Sequence, residues 1–172
     1  LRASVPGLHP RSITWRASPR HNKLLCREFS AERDQSVVLA FDTGHLMCEP
    51  LDGVTRLDHA IAGALLLAWS CLRGGDRVGL YSFGARPGGF RATSGGPGTF
   101  AAIEQWTSTL DYGADETNYT LGLSELARRL RRRSLIVLFT DFVDVVAAKL
   151  MLDNVARLVE RHVVLFVTLS DP

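Results

Sequence analysis

The sequence of 172 residues predicts an α/β fold, in which an open, mostly parallel sheet carries helices on both faces. Three observations lead to this fold class. Short runs rich in β-branched residues alternate with longer segments of helical periodicity. Two of these runs, 37–41 and 135–139, are apolar throughout, as in parallel strands buried on both faces. Asp42 and Asp141 stand where these two runs end.

The individual elements follow from periodicity and from the residues that break it. The first strand, 37–41, precedes a helix over 57–72 that the glycines of RGGD end. A strand over 77–83 and a turn rich in Gly and Pro come next. The remaining predicted elements are a short strand at 90–94, a helix at 99–110 capped near Thr99, a loop at 111–118, a helix at 119–132, a strand at 135–139, a helix at 145–161 and a last strand at 163–169.

Residues 1–35 differ from the rest because they are polar, basic and weakly periodic. We predict an N-terminal arm or short strands over 1–35, with SITWRA and KLLCREF as the candidate strands. One domain is predicted over 36–172. The chain starts at Leu1 and not at a methionine, so we expect a piece of a longer protein.

Composition and charge are those of an ordinary globular protein, with 46% hydrophobic and 22% charged residues and a net charge of +2. So small a net charge does not indicate nucleic acid as a partner. The three cysteines show no CxxC spacing, which favours a reducing compartment and a cytoplasmic domain. The apolar stretch 60–72 is too short to cross a bilayer, which needs about 20 residues. Membrane attachment is therefore expected only through segments outside this sequence.

The two aspartates at strand ends are the first candidate site. In open α/β sheets, ligands bind beyond the carboxyl ends of the strands, so carboxylates on neighbouring strands converge there. Asp42 and Asp141, with the Thr117 hydroxyl just before a helix, make a set of hard oxygen ligands suited to Mg²⁺. The competing interpretation is that each aspartate only caps the turn or helix that follows it.

Several blocks in order resemble a known family. They are VPGLHPRSITWRASPRHNKLLCREFSAERDQSVVLAFDTG, LDHAIAGALLLAWSCLRGGDRVGLYSF, RRRSLIVLFTDF and TLSDP. They are similar to the bacterial "domain of unknown function 58" family, within the von Willebrand factor type A fold. The resemblance implies a Rossmann-like sheet. Type A domains usually add a strand and a helix after the last strand seen here, so we expect a fold truncated at its C-terminus.

The resemblance also implies a metal-ion-dependent adhesion site built from three loops. The first loop of that site reads D-x-S-x-S, the second supplies a threonine and the third an aspartate. Asp42, Thr117 and Asp141 match the first aspartate, the threonine and the last aspartate. We therefore predict a degenerate site, because Gly44 and Leu46 stand where the two serines belong.

Gly44, His45 and Leu46 are expected to line this degenerate site. Without two hydroxyl ligands, we expect no firmly bound cofactor and at most weak Mg²⁺ binding. A second interpretation is that His45 provides a ligand for a softer ion such as Zn²⁺. We also expect that changing Gly44 and Leu46 together to serine increases affinity for Mg²⁺ if the loop is otherwise preserved. Without a firmly bound ion, Asp42 and Asp141 would be uncompensated and would attract a Lys or Arg of a partner.

The function that the resemblance implies is that of a non-catalytic adaptor acting with a MoxR-type AAA+ ATPase in the assembly or maturation of protein complexes. The alternative is a metal-dependent hydrolase or phosphatase using Asp42 and Asp141. The chain lacks a G-x-S-x-G motif and a Gly-rich phosphate loop, and Gly44 replaces the second aspartate that haloacid-dehalogenase-like phosphatases need. We therefore predict no enzyme activity.

Basic segments form the second candidate site. Cations at the C-terminus of a helix interact favourably with its dipole, which is the simpler interpretation of the arginine cluster. The functional interpretation is a surface for a protein partner, since interleaved aromatic residues that would favour nucleic acid are lacking there. The residues are Arg128, Arg129, Arg131, Arg132 and Arg133, together with Trp15 in the basic stretch WRASPRHNK.

Overall fold

The computed structural model describes residues 2–3, 25–26, 34–141 and 145–169. The chain divides into two compact units, Leu1–Glu32 and Arg33–Pro172. In the first unit, strand β1 (Arg2–Ala3) pairs antiparallel with β2 (Leu25–Cys26). SITWRA and the Trp15 stretch lie outside the described residues, and so do most of KLLCREF and TLSDP.

The second unit alternates strands and helices, as predicted. Its elements are β3 (Ser36–Asp42), α1 (His45–Cys48), β4 (Pro50–Leu51), β5 (Val54–Thr55), α2 (Arg56–Gly74), β6 (Arg77–Phe83), β7 (Pro87–Ser94), α3 (Thr99–Thr107), α4 (Tyr119–Arg129), β8 (Leu135–Phe139), α5 (Val145–Val159) and β9 (Val163–Val167).

Five strands of this unit form one sheet in the order β7-β6-β3-β8-β9. All neighbouring pairs are parallel except β6 and β7, which are antiparallel. The predicted α/β class, mostly parallel and covered by helices, is therefore confirmed. Strand β3 lies at the centre with all seven residues buried, and Phe41 is in register with Phe139 of β8. The predicted adjacency of the strands that precede Asp42 and Asp141 is confirmed as well.

Two hydrophobic clusters cover the two faces of the sheet, because successive side chains of a strand point to opposite sides. Leu39 and Phe41 of β3 belong to a cluster with residues of α2 and α3. Val38 and Ala40 belong to the other, with residues of α4 and α5. Among the described residues, no helix is long and apolar enough to span a membrane.

Helix α2 begins and ends at recognisable caps. The Thr55 side chain accepts a hydrogen bond from the backbone N–H of Asp58, and Thr55 Oγ1 donates to the Asp58 carboxylate. Gly75 ends the helix with φ of 90°, a left-handed conformation that glycine adopts without strain. The predicted stop at RGGD is confirmed. This geometry makes Arg56 the first residue of α2.

Some predicted boundaries are wrong by a few residues. Helix α4 ends at Arg129 and not at 132, because Leu130 is extended and buried and turns the chain toward β8. Helix α3 likewise ends at Thr107 and not at 110. The hairpin of β4 and β5 was not predicted, although Asp52 and Gly53 at its turn both have positive φ and form a common hairpin sequence.

Candidate functional site

Asp42 lies at the carboxyl end of β3 and is almost fully buried, with 1% of its surface exposed. Its Oδ1 accepts hydrogen bonds from the Gly44 backbone N–H at 2.9 Å and from the Thr117 hydroxyl at 2.5 Å. Its Oδ2 accepts from the Thr140 hydroxyl at 2.7 Å and lies 3.1 Å from the Tyr119 hydroxyl. The carboxylate is therefore surrounded by four donors from its own chain.

Burial raises the pKa of the Asp42 carboxyl above its ordinary value, and the surrounding hydrogen bonds offset part of that rise. Burial, and next the nearby Asp42 charge, raise the pKa of the Tyr119 phenol above its ordinary value, so Tyr119 stays protonated and able to donate.

The loop between α3 and α4 brings Thr117 to Asp42. The loop is held against the end of β3 because the Gly113 N–H donates to the Thr43 carbonyl and the His45 N–H donates to the Asp115 carbonyl. A Cβ on residue 113 would lie 2.5 Å from the Thr43 carbonyl oxygen, so this approach requires glycine. The predicted grouping of Asp42 with Thr117 therefore depends on backbone contacts that the motif does not contain.

Asp141 lies beyond the carboxyl end of β8, and its Oδ2 accepts a hydrogen bond from Arg56 Nη1 at 2.6 Å. The same nitrogen also donates to the Leu169 carbonyl after β9. The expectation that both aspartates lack a compensating charge is thus wrong for Asp141, since the chain itself supplies the cation. Asp141 is connected to Asp42 through Tyr119, whose hydroxyl lies 3.2 Å from the Asp141 carbonyl oxygen.

Gly44 is buried directly against this network. A Cβ at this position would lie 2.0 Å from the Thr117 Oγ1 and 3.2 Å from the Asp42 Oδ1. The Thr117 hydroxyl therefore occupies the space that a serine at 44 would need. Serines at 44 and 46 can therefore increase affinity for Mg²⁺ only if Thr117 moves first.

His45 and Leu46 lie in the short helix α1 and are half-buried. Met47, and not Leu46, belongs to the hydrophobic core on this side of the sheet. Among the described residues, no group of three His, Cys, Asp or Glu side chains is placed to hold a metal ion.

The donor set does not fit Mg²⁺ in its present arrangement. Two ligands of one octahedral Mg²⁺ lie about 3 Å apart and both direct lone pairs at the ion. Here the Thr117 hydroxyl donates its proton to Asp42 at 2.5 Å, and Asp141 is paired with Arg56. An ion would have to break both contacts, and Gly44 and Leu46 offer no side-chain oxygen to it.

Three residues of this network were not predicted. Thr140 is a polar residue between the strand 135–139 and Asp141, which was a usable signal. Tyr119 lies two positions after Thr117 and is the first residue of the predicted helix. Arg56 gave one weak signal. It is a cation at the N-terminus of a helix, where the macrodipole disfavours positive charge, so a nearby anion is indicated.

The arginine cluster is not part of this crevice. Arg131, Arg132 and Arg133 precede β8, whereas Asp141 follows it, so the two candidate sites lie at opposite ends of the sheet. Arg128 and Arg129 in the last turn of α4 form ion pairs with Glu125 at 2.8 and 2.6 Å.

Comparison with solved structures gives the same fold at low sequence identity. The PilB minor pilin from Streptococcus sanguinis matches at 20% identity and a TM-score of 0.51, over 69% of this chain and 32% of that chain. The SpRpn10 VWA domain matches at 12% identity and a TM-score of 0.55, over 80% of this chain and 76% of that chain. BatB from Bacteroides thetaiotaomicron matches at 14% identity and a TM-score of 0.53, over 77% of this chain and 65% of that chain. The chain thus spans about a third of PilB and about two thirds of BatB.

No curated protein matches the sequence. The family model described as "Protein of unknown function DUF58" matches residues 1–172, which is the whole chain. Together with the von Willebrand type A fold of the structural neighbours, this match confirms the resemblance seen in the sequence. The chain belongs to the DUF58 family.

Proposed function

We propose that this chain is a non-catalytic protein-interaction domain whose strand-end site works without a metal ion. The observation that carries the proposal is the Arg56–Asp141 ion pair, because it neutralises the third-loop aspartate with a cation from the chain itself. The four donors around Asp42 support it, since they leave that carboxylate no need for an ion. The proposed partner is a MoxR-type AAA+ ATPase, and the proposed setting is the cytoplasm.

The surface that meets the partner is the loop above this network. Asp111, Asp115 and Glu116 are all exposed on the loop between α3 and α4, which covers the carboxyl ends of the strands. Asp42 is buried, and the Asp141 carboxylate is already paired with Arg56, so neither is offered to a partner. The acidic loop therefore selects a basic surface on the partner, by long-range attraction and by charge-assisted hydrogen bonds.

The test is a titration of the full-length protein against the MoxR-type ATPase encoded nearest to it, in EDTA and without nucleotide. Changing Asp115→Asn and Glu116→Gln together is expected to weaken binding on the order of tenfold, with a smaller loss at high salt. The control changes Asp153→Asn and Glu160→Gln, two exposed carboxylates elsewhere with the same change in net charge. Equal affinities for the loop variant and the control would exclude the loop, and no binding at all would exclude this ATPase.

Magnesium provides a second prediction. Millimolar Mg²⁺ should change the melting temperature of the chain very little, because a ligand present near its Kd stabilises by only about 0.4 kcal/mol. Thermal melting with Mg²⁺ and then with EDTA measures this. A clear rise that EDTA reverses would contradict the metal-free site. Phosphatase and esterase assays on the same samples, with and without divalent ions, address the alternative of a metal-dependent hydrolase, and we expect no turnover in either.

A further inference from the structure

A cavity of about 530 Å³ lies between the edge strand β7 and the end of α4. We call it the arginine groove. Phe90 and Ala92 of β7 form one wall, and the other carries Arg128, Arg129, Arg131 and Arg132. Strand β7 is at the edge of the sheet, and in the described part of the chain no further strand pairs with its outer side.

The arginines of this groove carry more positive charge than their surroundings neutralise. Glu125 pairs with Arg128 and Arg129, and these two bonds lower the pKa of Glu125 to about 2, so this carboxylate is fully ionised. Within the described residues, no carboxylate lies within ion-pair distance of Arg131 or Arg132, both of which are exposed. The C-terminus of a helix carries only about half a negative charge, which cannot account for this excess.

We propose that the arginine groove binds an acidic, extended peptide segment of a partner protein, at a surface separate from the acidic loop. Arg guanidinium groups match carboxylates with two parallel hydrogen bonds, which gives the preference for Glu and Asp. The unpaired edge of β7 favours an extended segment, since such a segment can add main-chain hydrogen bonds to an edge strand.

Two other anionic partners fit the groove less well. Binding of single-stranded nucleic acid needs exposed rings on which bases stack. Phe90 is the aromatic residue of the groove, and the Arg129 guanidinium already lies over its ring at 5.4 Å. An anionic membrane surface attracts any exposed basic cluster and makes no use of a strand edge, whereas these arginines lie beside the unpaired edge of β7.

The experiment uses the full chain and a short fluorescent peptide of alternating Glu and Thr. An otherwise identical peptide of alternating Gln and Thr is the uncharged control. Fluorescence anisotropy measures binding at low and high salt. The double variant Arg131→Gln, Arg132→Gln is expected to bind the acidic peptide on the order of tenfold more weakly. The control variant Arg73→Gln, Arg86→Gln removes two exposed arginines outside the groove and should bind like the unchanged chain.

Both variants change exposed side chains, and thermal melting verifies that they remain folded. The proposal is supported if only the groove variant loses affinity for the acidic peptide and the Gln–Thr peptide does not bind. Equal losses in both variants, or no binding of the acidic peptide by the unchanged chain, would overturn it. A short single-stranded oligonucleotide or phosphatidylserine vesicles that bind as tightly, and lose binding in the same variant, would assign the groove to another polyanion and also overturn it. These outcomes do not depend on the ATPase titration.

Discussion

Replacing Arg56 by methionine is expected to lower the free energy of unfolding by about 3 kcal/mol, the lower end of the range for breaking a buried ion pair. The change removes the guanidinium that lies 2.6 Å from Asp141 and keeps most of the hydrophobic volume. The lower end applies because the two side chains remain 10% and 18% exposed. Urea unfolding measures the loss. Arg157→Met, at an exposed position of α5, is the control and should change stability by less than about 0.5 kcal/mol.

A double-mutant cycle tests the ion pair itself. Arg56→Met combined with Asp141→Asn should be more stable than the sum of the two single changes predicts, by about 1 kcal/mol or more, since the pair then leaves no charge behind. Mg²⁺ should also raise the melting temperature of Arg56→Met more than that of the unchanged chain. The role of Arg56 as the internal cation would be refuted if Arg56→Met were no more costly than Arg157→Met.

Changing Gly44 to alanine is expected to cost about 1–3 kcal/mol of stability, as overpacking of a tight interior does. The backbone at Gly44 has φ of −73° and ψ of 174°, which alanine adopts without strain. The cost therefore arises from the contact between the new methyl group and Thr117 Oγ1, which would be 2.0 Å. Urea unfolding compares this variant with Gly63→Ala, where a Cβ meets nothing within 4 Å and the helix should gain up to about 1 kcal/mol.

Thr117→Ala identifies the source of the cost. On its own, this change removes the hydroxyl that donates to Asp42 and should be destabilising by about 1 kcal/mol. Combined with Gly44→Ala it should cost less than the two changes separately, because the clashing oxygen is gone. Strict additivity of the two changes would show that Gly44 is required for another reason. The same logic predicts that Gly44→Ser, Leu46→Ser gains affinity for Mg²⁺ only when Thr117 turns away from Asp42.

The fold could be predicted almost completely from the sequence because its signals are local. An uninterrupted apolar run such as 37–41 indicates a strand buried on both faces, and RGGD stops a helix wherever the helix lies. The last turn of α4 could not be predicted, since its end depends on the burial of Leu130. The antiparallel pairing of β7 with β6 follows from the short turn between Phe83 and Pro87, which is too short for the crossover that parallel neighbours need.

The sequence by itself determined that Asp42, Thr117 and Asp141 lie at the strand-end site, because they occupy the places that a family pattern assigns to them. Only the tertiary structure decided what those side chains bond to. Arg56 pairs with Asp141 across 85 positions and Thr117 bonds to Asp42 across 75. Contacts between distant residues depend on which helix begins beside which strand end, and on differences of a few tenths of an ångström in the distance between two atoms. No spacing in the chain records those distances, which is why the internal cation could not be read from the sequence.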